Sequence, residues 1–162
     1  MRAYITILGR SIWSVINSLY AVLKQHDIQP DLFYIITENI FQDKLQKTVD
    51  GVKIVAEEFG LNATIKTKII AEGKFVAAGM AIGNVIKELK EKGYEIDVDI
   101  TPGRKSLVAG MILVLRKENV EHLFYLDIKT IVDVNYPYEM IPRQIQSLKD
   151  FMKERSEVVP NA

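Results

Sequence analysis

An open, doubly wound α/β domain with a parallel sheet is the fold class that this chain predicts, and three observations predict it. Short runs rich in Ile, Val, Tyr, Phe and Thr alternate with longer stretches whose apolar residues recur at helical spacing. The helical stretches are about 12 to 20 residues long, which suits right-handed crossovers between parallel strands. Two junctions, "LGRS" and "DITPGRKS", pass from strand to helix through a glycine, a hydroxyl and a guanidinium.

The strands are expected over 3–8, 32–37, 63–70, 95–100 and 123–128. Between the first two, Ile12, Ile16, Leu19 and Leu23 form one helical stripe; Phe41, Leu45, Val49, Val52, Ala56 and Phe59 form the next. Phe75, Gly79, Ile82, Ile86 and Leu89 make a third, and the apolar run 106–115 a fourth. "YITIL" and "FYII" are nearly continuous, as in strands buried on both faces, whereas "ATIKTKII" alternates with Lys66 and Lys68 on one side. The first strand is therefore central and the third an edge, giving a Rossmann-like order of 3-2-1-4-5.

Only Lys129 and Thr130 separate the fifth strand from "IVDVNY", residues 131–136, too few for a crossover. That segment is expected to fold back as a C-terminal antiparallel hairpin strand. A closing helix is expected over 143–155, with Pro142 near its start and Ile145, Leu148 and Met152 as its stripe.

The 162 residues suit a single domain, expected over 1–155 with a frayed tail at 156–162. Apolar residues make up 48% of the chain, and 21 acids balance 21 bases, so any anion site must be local; direct binding to nucleic acid is not expected. The absence of cysteine removes disulfides, thiol nucleophiles and thiolate zinc sites together. No apolar run approaches the roughly 20 residues of a bilayer span, and no cleavable signal follows the first strand. A soluble cytoplasmic protein is expected, with no membrane partner.

In such a sheet ligands bind beyond the carboxyl ends of the strands, where the strand order reverses. Here that point lies between strands one and four, at Gly9-Arg10-Ser11 and Thr101-Pro102-Gly103-Arg104-Lys105-Ser106. Both loops open a helix, whose unpaired N–H groups favour an anion. A phosphate-bearing or otherwise anionic ligand is the chemistry implied, contacted by Ser11, Thr101, Arg104, Lys105 and Ser106. Each residue also has a plain structural reading: Ser11 and Thr101 as helix caps, Gly103 as a turn, Lys105 as a solvated first-turn residue. "GRSIWS" lacks the dinucleotide fingerprint and "GRKS" is not a phosphate loop, so nicotinamide and simple ATP chemistry rank lower.

Asp97 and Asp99 read either as paired carboxylates or as a hydrogen-bonded strand face. His26 and His122 read as surface residues away from the switch point, and no His/carboxylate cluster has metal spacing. Trp13 is either a packing residue or, beside the first loop, a platform for a base.

The chain resembles the CRISPR-associated Rossmann-fold (CARF) domains of type III CRISPR systems. The resemblance rests on the Gly/Ser loop after the first strand, on a fourth strand ending in Asp-x-Thr, on the Gly-x-Lys-Ser turn into an apolar helix, and on "LFYLDI" with its hairpin. The common family pattern Asp-x-Thr-Gly-Gly-Thr-Lys reads here Asp99-Ile100-Thr101-Pro102-Gly103-Arg104-Lys105. Proline removes one backbone donor from the loop, and arginine puts a cation where a hydroxyl would be.

The resemblance implies a homodimer that binds a cyclic oligoadenylate messenger, cyclic tetra-adenylate foremost, across its two-fold axis, with Gly9, Arg10, Ser11, Trp13, Thr101, Gly103, Arg104, Lys105 and Ser106 at the ligand and no metal or other cofactor. Trp13 and Phe75 would flank adenines. The chain ends about where the family's core ends, as in a standalone protein or one separated from its effector. Standalone members resemble the ring nucleases, which linearise the messenger and switch antiviral signalling off; that role would make Lys105 and Ser11 the catalytic pair. The alternatives are a non-catalytic sensor that regulates a partner or missing effector, and an unrelated nucleotide-binding α/β protein.

Overall fold

The computed structural model describes residues 1–115, 120–130 and 134–158, with side chains through 154. In chain order it contains β1 (Arg2–Leu8), α1 (Ile12–Gln25), β2 (Leu32–Glu38), a 3-10 turn (Asn39–Lys44), α2 (Leu45–Glu58), β3 (Thr64–Ile70), α3 (Phe75–Glu91), β4 (Glu95–Asp99), α4 (Lys105–Leu115), β5 (His122–Ile128), β6 (Gln146–Asp150) and α5 (Phe151–Val158). One six-stranded sheet runs β3-β2-β1-β4-β5-β6; all neighbours are parallel except β5 and β6. No helix of the described residues is long and apolar enough to cross a membrane.

The continuous apolar character of β1 follows from burial on both faces. Ala3, Ile5 and Ile7 enter one core with Ile82, Ile86 and Met111 of α3 and α4, while Tyr4 and Leu8 enter the other with Val15, Leu19 and Val52 of α1 and α2. β3 is the edge that its lysines announce. α3 and α4 pack backbone to backbone: a Cβ on Gly79 would stand 2.5 Å from the Gly110 carbonyl oxygen, and one on Gly110 2.6 Å from that of Phe75.

The C-terminal segment differs from the sequence expectation. The antiparallel strand is not at 131–136, of which 131–133 lie outside the described residues and 134–136 form turn and bend; it is Gln146–Asp150, inside the stretch expected to be helix. The helix accordingly starts at Phe151 rather than at 143 and runs to 158, and the rest of the expected tail, 159–162, lies outside the described residues. Ile145, Leu148 and Met152 fit a helical stripe, but "QSLKD" also alternates, and the open edge of β5 supplies hydrogen bonds that an isolated helix turn would lack. Asp150 closes the strand: its carboxylate accepts from the Leu123 and Met152 N–H groups and lies 2.7 Å from His122 Nδ1. His122 stacks on Phe124, and His26 meets the same ring edge-on. Both histidines are thus half-buried packing groups, not free surface residues, and neither lines the switch point.

Asp97, in the middle of β4, is fully buried with neither oxygen hydrogen-bonded; Arg2 Nε lies 3.7 Å from Oδ2. Burial pushes its carboxyl up to about 6, against the attraction of Arg2 and His122. Because the folded state binds the proton more tightly than the unfolded chain, stability is fullest below about pH 4 for this group and is lost as pH rises through about 6, by about 3 kcal/mol. Thermal melts of Asp97→Asn should therefore match the wild type near pH 4 and exceed it at pH 7; a wild-type advantage at pH 7 would contradict the assignment.

Candidate functional site

The carboxyl ends of β1 and β4 release the two loops that the strand order brings side by side. They meet through backbone: a Cβ on Gly9 would stand 2.3 Å from the Pro102 carbonyl oxygen, so no other residue fits there without moving the loop. Gly103 is also closely packed, with Val108 Cγ2 2.6 Å and Ile7 Cδ1 3.4 Å from the position its Cβ would take.

Asp99 fixes the geometry beneath. Its carboxylate is wholly buried and accepts from Thr6 Oγ1 (2.9 Å), Ser18 Oγ (2.6 Å) and the Thr101 N–H (2.9 Å), joining β1, α1 and the β4–α4 loop. Burial raises its pKa, opposed by the bonds from Ser18, Thr101 and Thr6. Of the two open readings of the strand-four aspartates, Asp99 is a hydrogen-bonded anchor; its carboxylate lies beneath the loops and is not part of the crevice lining. The Thr101 hydroxyl also points inward and accepts from the Leu126 N–H at 2.8 Å, holding the loop to β5 rather than facing a ligand.

Above these anchors lies a crevice of about 490 Å³ lined by Arg10, Ser11, Ser14, Pro102, Gly103, Arg104, Lys105 and Ser106. Ser11 caps α1 by accepting from the Ser14 N–H at 3.3 Å, which leaves its hydroxyl proton available to an acceptor in the crevice. Lys105 is the first residue of α4, exposed and without an ion pair among the described residues; beside it the first N–H groups of α4 have no intrahelical acceptor. The crevice therefore offers cations, hydroxyls and a helix N-terminus, and no acid in its lining among the described residues.

Sequence reasoning missed the setting of Arg104. Its Nη1 donates to Glu38 Oε2 at 3.3 Å and to Glu72 Oε1 at 3.2 Å. The Glu38 side chain is only 3% exposed. The Glu72 backbone is held in turn by Asn39 Oδ1 at 3.0 Å. These acids come from the carboxyl ends of β2 and β3, and the one signal in the sequence is a carboxylate closing "YIITE". Arg104 is thus neutralised in place and bridges three strand ends, while Lys105 and Arg10 carry the free positive charge. Trp13 is 38% exposed and lines a neighbouring cavity instead of the crevice itself.

Glu38→Gln removes the buried partner of Arg104 and should cost about 1–3 kcal/mol of stability, since a charge partly taken from water loses its counter-charge. Urea unfolding of the variant checks this; an unchanged midpoint would mean that Glu72 alone holds the guanidinium.

No protein-family model and no curated protein matches the chain, but solved structures do. Csm6 of Enterococcus italicus, bound to cyclic hexa-2'-fluoro-hexa-dAMP, superposes with a TM-score of 0.63 at 18% identity over 99% of this chain and 44% of its own. Protein VC1899 of Vibrio cholerae gives 0.61 at 15% identity over 76% of this chain and 30% of its own. A type III CRISPR defence DNA nuclease activated by cyclic oligoadenylate gives 0.56 at 14% identity over 78% and 19%. The chain spans less than half the length of each. What it shares with these proteins is the fold: a Rossmann-like α/β domain with a mostly parallel sheet in the order 3-2-1-4-5-6.

Proposed function

We propose that the switch-point crevice binds a cyclic oligoadenylate, with cyclic tetra-adenylate the first candidate, and that the protein cleaves it slowly as a ring nuclease in type III CRISPR signalling. The observation that carries the reading is Lys105 at the start of α4, in one crevice with the Ser11 hydroxyl, with no ion pair and no lining carboxylate among the described residues. A phosphodiester is the anion suited to this combination. The shared fold with a protein solved with a cyclic hexanucleotide analogue supports the choice of ligand class.

A symmetric ring needs two copies of the site. The outer surface of α3 carries exposed Phe75, Val76 and Met80, and that of α4, the helix whose first residue is Lys105, carries exposed Ile112 and Leu113. Closing that surface against a second copy would bury it and bring two sets of Lys105 and Ser11 to one ligand. In this homodimer Phe75 would stand near the adenines.

In the cleavage step a ribose 2'-hydroxyl attacks its own 3'-phosphorus as the P–O5' bond breaks, the 2'-proton leaves, and the departing 5'-oxygen gains a proton. The products are a 2',3'-cyclic phosphate end and a 5'-hydroxyl end. Lys105 meets the charge that develops on the phosphorane oxygens, and Ser11 orients the phosphate or the 2'-hydroxyl. Arg104, held by Glu38 and Glu72, positions the loop and has only part of its donor set left for a phosphate.

Among the described residues the crevice lining supplies no His, Asp or Glu to act as a general base, and this favours the second reading: a sensor that holds the intact ring and passes the change to a partner. Both readings require the same binding residues.

Lys105→Ala should weaken binding of labelled cyclic tetra-adenylate about tenfold or more and slow any cleavage by about 10²–10³. Filter binding and product chromatography read the two separately. Unchanged retention and unchanged conversion would overturn the site.

A further inference from the structure

At the amino end of the sheet, away from the crevice, the fold brings together the chain's only two histidines. His26 is the C-cap of α1 and His122 the first residue of β5. Their ring centres lie 5.7 Å apart, and both rings pack on Phe124, at 4.7 Å and 5.1 Å. Phe124 offers no hydrogen bond to either, so the four ring nitrogens need other partners.

Asp150 accounts for one of them. Its Oδ1 accepts from the Leu123 and Met152 N–H groups, and its Oδ2 lies 2.7 Å from His122 Nδ1, so Nδ1 carries the proton and Nε2 is left with a lone pair. Neither His122 Nε2 nor the ring nitrogens of His26 have a hydrogen-bond partner among the described residues, and both side chains are part-exposed. A carboxylate on one nitrogen of an imidazole whose other nitrogen is open is the outer-shell arrangement of histidine metal ligands: it fixes the tautomer and raises the basicity of the ligating nitrogen. Two imidazoles that share one tetrahedral ion through bonds of about 2.0–2.1 Å have ring centres roughly 5–6 Å apart, and this pair has that spacing. Asp150 and the buried Asp97 bring negative charge to the pair, opposed by Lys153 of α5. No third His, Asp or Glu among the described residues completes a cluster, so water fills the remaining positions. Imidazole donors select a zinc-class ion over Mg²⁺ or Ca²⁺, which take oxygen ligands.

We propose that His26 and His122 form a two-histidine site for a divalent ion of the zinc class, with Asp150 as the carboxylate that orients His122. A bound ion would clip the C-terminal end of α1 to the start of β5 and, through Asp150, to the β6–α5 junction. The site lies at the far end of the strands from the crevice and stands or falls independently of the oligoadenylate reading.

Because the chain has two histidines, NMR of the full chain, stripped of metal with EDTA and dialysed, reads each ring separately. Equimolar Zn²⁺ is expected to move the ring signals of His26 and His122 together, and Mg²⁺ neither. His26→Phe keeps a ring against Phe124 and should weaken Zn²⁺ binding, measured by calorimetry, about tenfold or more. Asp150→Asn should weaken it about tenfold while Zn²⁺ still moves both rings. Zn²⁺ that moves one ring or none, or that binds His26→Phe as tightly as the wild type, would overturn the site; undiminished affinity in Asp150→Asn would overturn the part given to its carboxylate.

Discussion

The site depends on one buried carboxylate. Asp99 has no contact with water, so its charge or its proton must be met inside the protein, and it is met by Thr6 of β1, Ser18 of α1 and the Thr101 N–H of the loop. Those three groups belong to the elements that build the switch point. A hydroxyl on the central strand, a hydroxyl one helix turn below the Ser14 that Ser11 caps, and the first residue of the basic loop are drawn to one point. Thr101 then spends its own hydroxyl on β5, so the loop is tied on both sides before any ligand arrives. Gly9 completes the arrangement by letting the loops touch at backbone distance. A site prepared in this way loses little entropy on binding.

Electrostatics then divides the labour among the cations. Arg104 is the residue that the sequence makes conspicuous, but two carboxylates already surround it, and an anion in the crevice would have to compete with Glu38 and Glu72 for the guanidinium. Lys105, one residue on, has no such partner among the described residues and sits at the start of a helix, where the peptide dipoles add to the field at its charge. In a neutral chain the attraction for phosphate is thus concentrated at Lys105 and Arg10.

Much of this fold is legible in the sequence because burial leaves a mark on composition. Continuous apolar β1 and β2 and lysine-bearing β3 yield the strand order, since burial on both faces favours an unbroken apolar run and an open edge suits solvated lysines. The C-terminus was not legible in the same way. Residues 145, 148 and 152 satisfy a helical period while 146–150 also satisfy a strand, and the open edge of β5, a feature of the assembled sheet, decides between them. At the site, the loops and their helices could be read from glycine, hydroxyl and cation spacing. That the Thr101 hydroxyl turns inward, and that Glu38 and Glu72 reach Arg104, depends on distances across strands 25 to 66 residues apart, which no local pattern encodes.

The central claim, that the switch-point crevice receives a cyclic oligoadenylate, is tested most directly by incubating the full chain in EDTA with radiolabelled cyclic tetra-adenylate and cyclic hexa-adenylate, following retention on the protein and conversion to linear product together. The account predicts retention of at least one ring, with slow appearance of a linear product ending in a 2',3'-cyclic phosphate; retention of an intact ring would identify the sensor. Neither retention nor conversion of either ring would contradict the account.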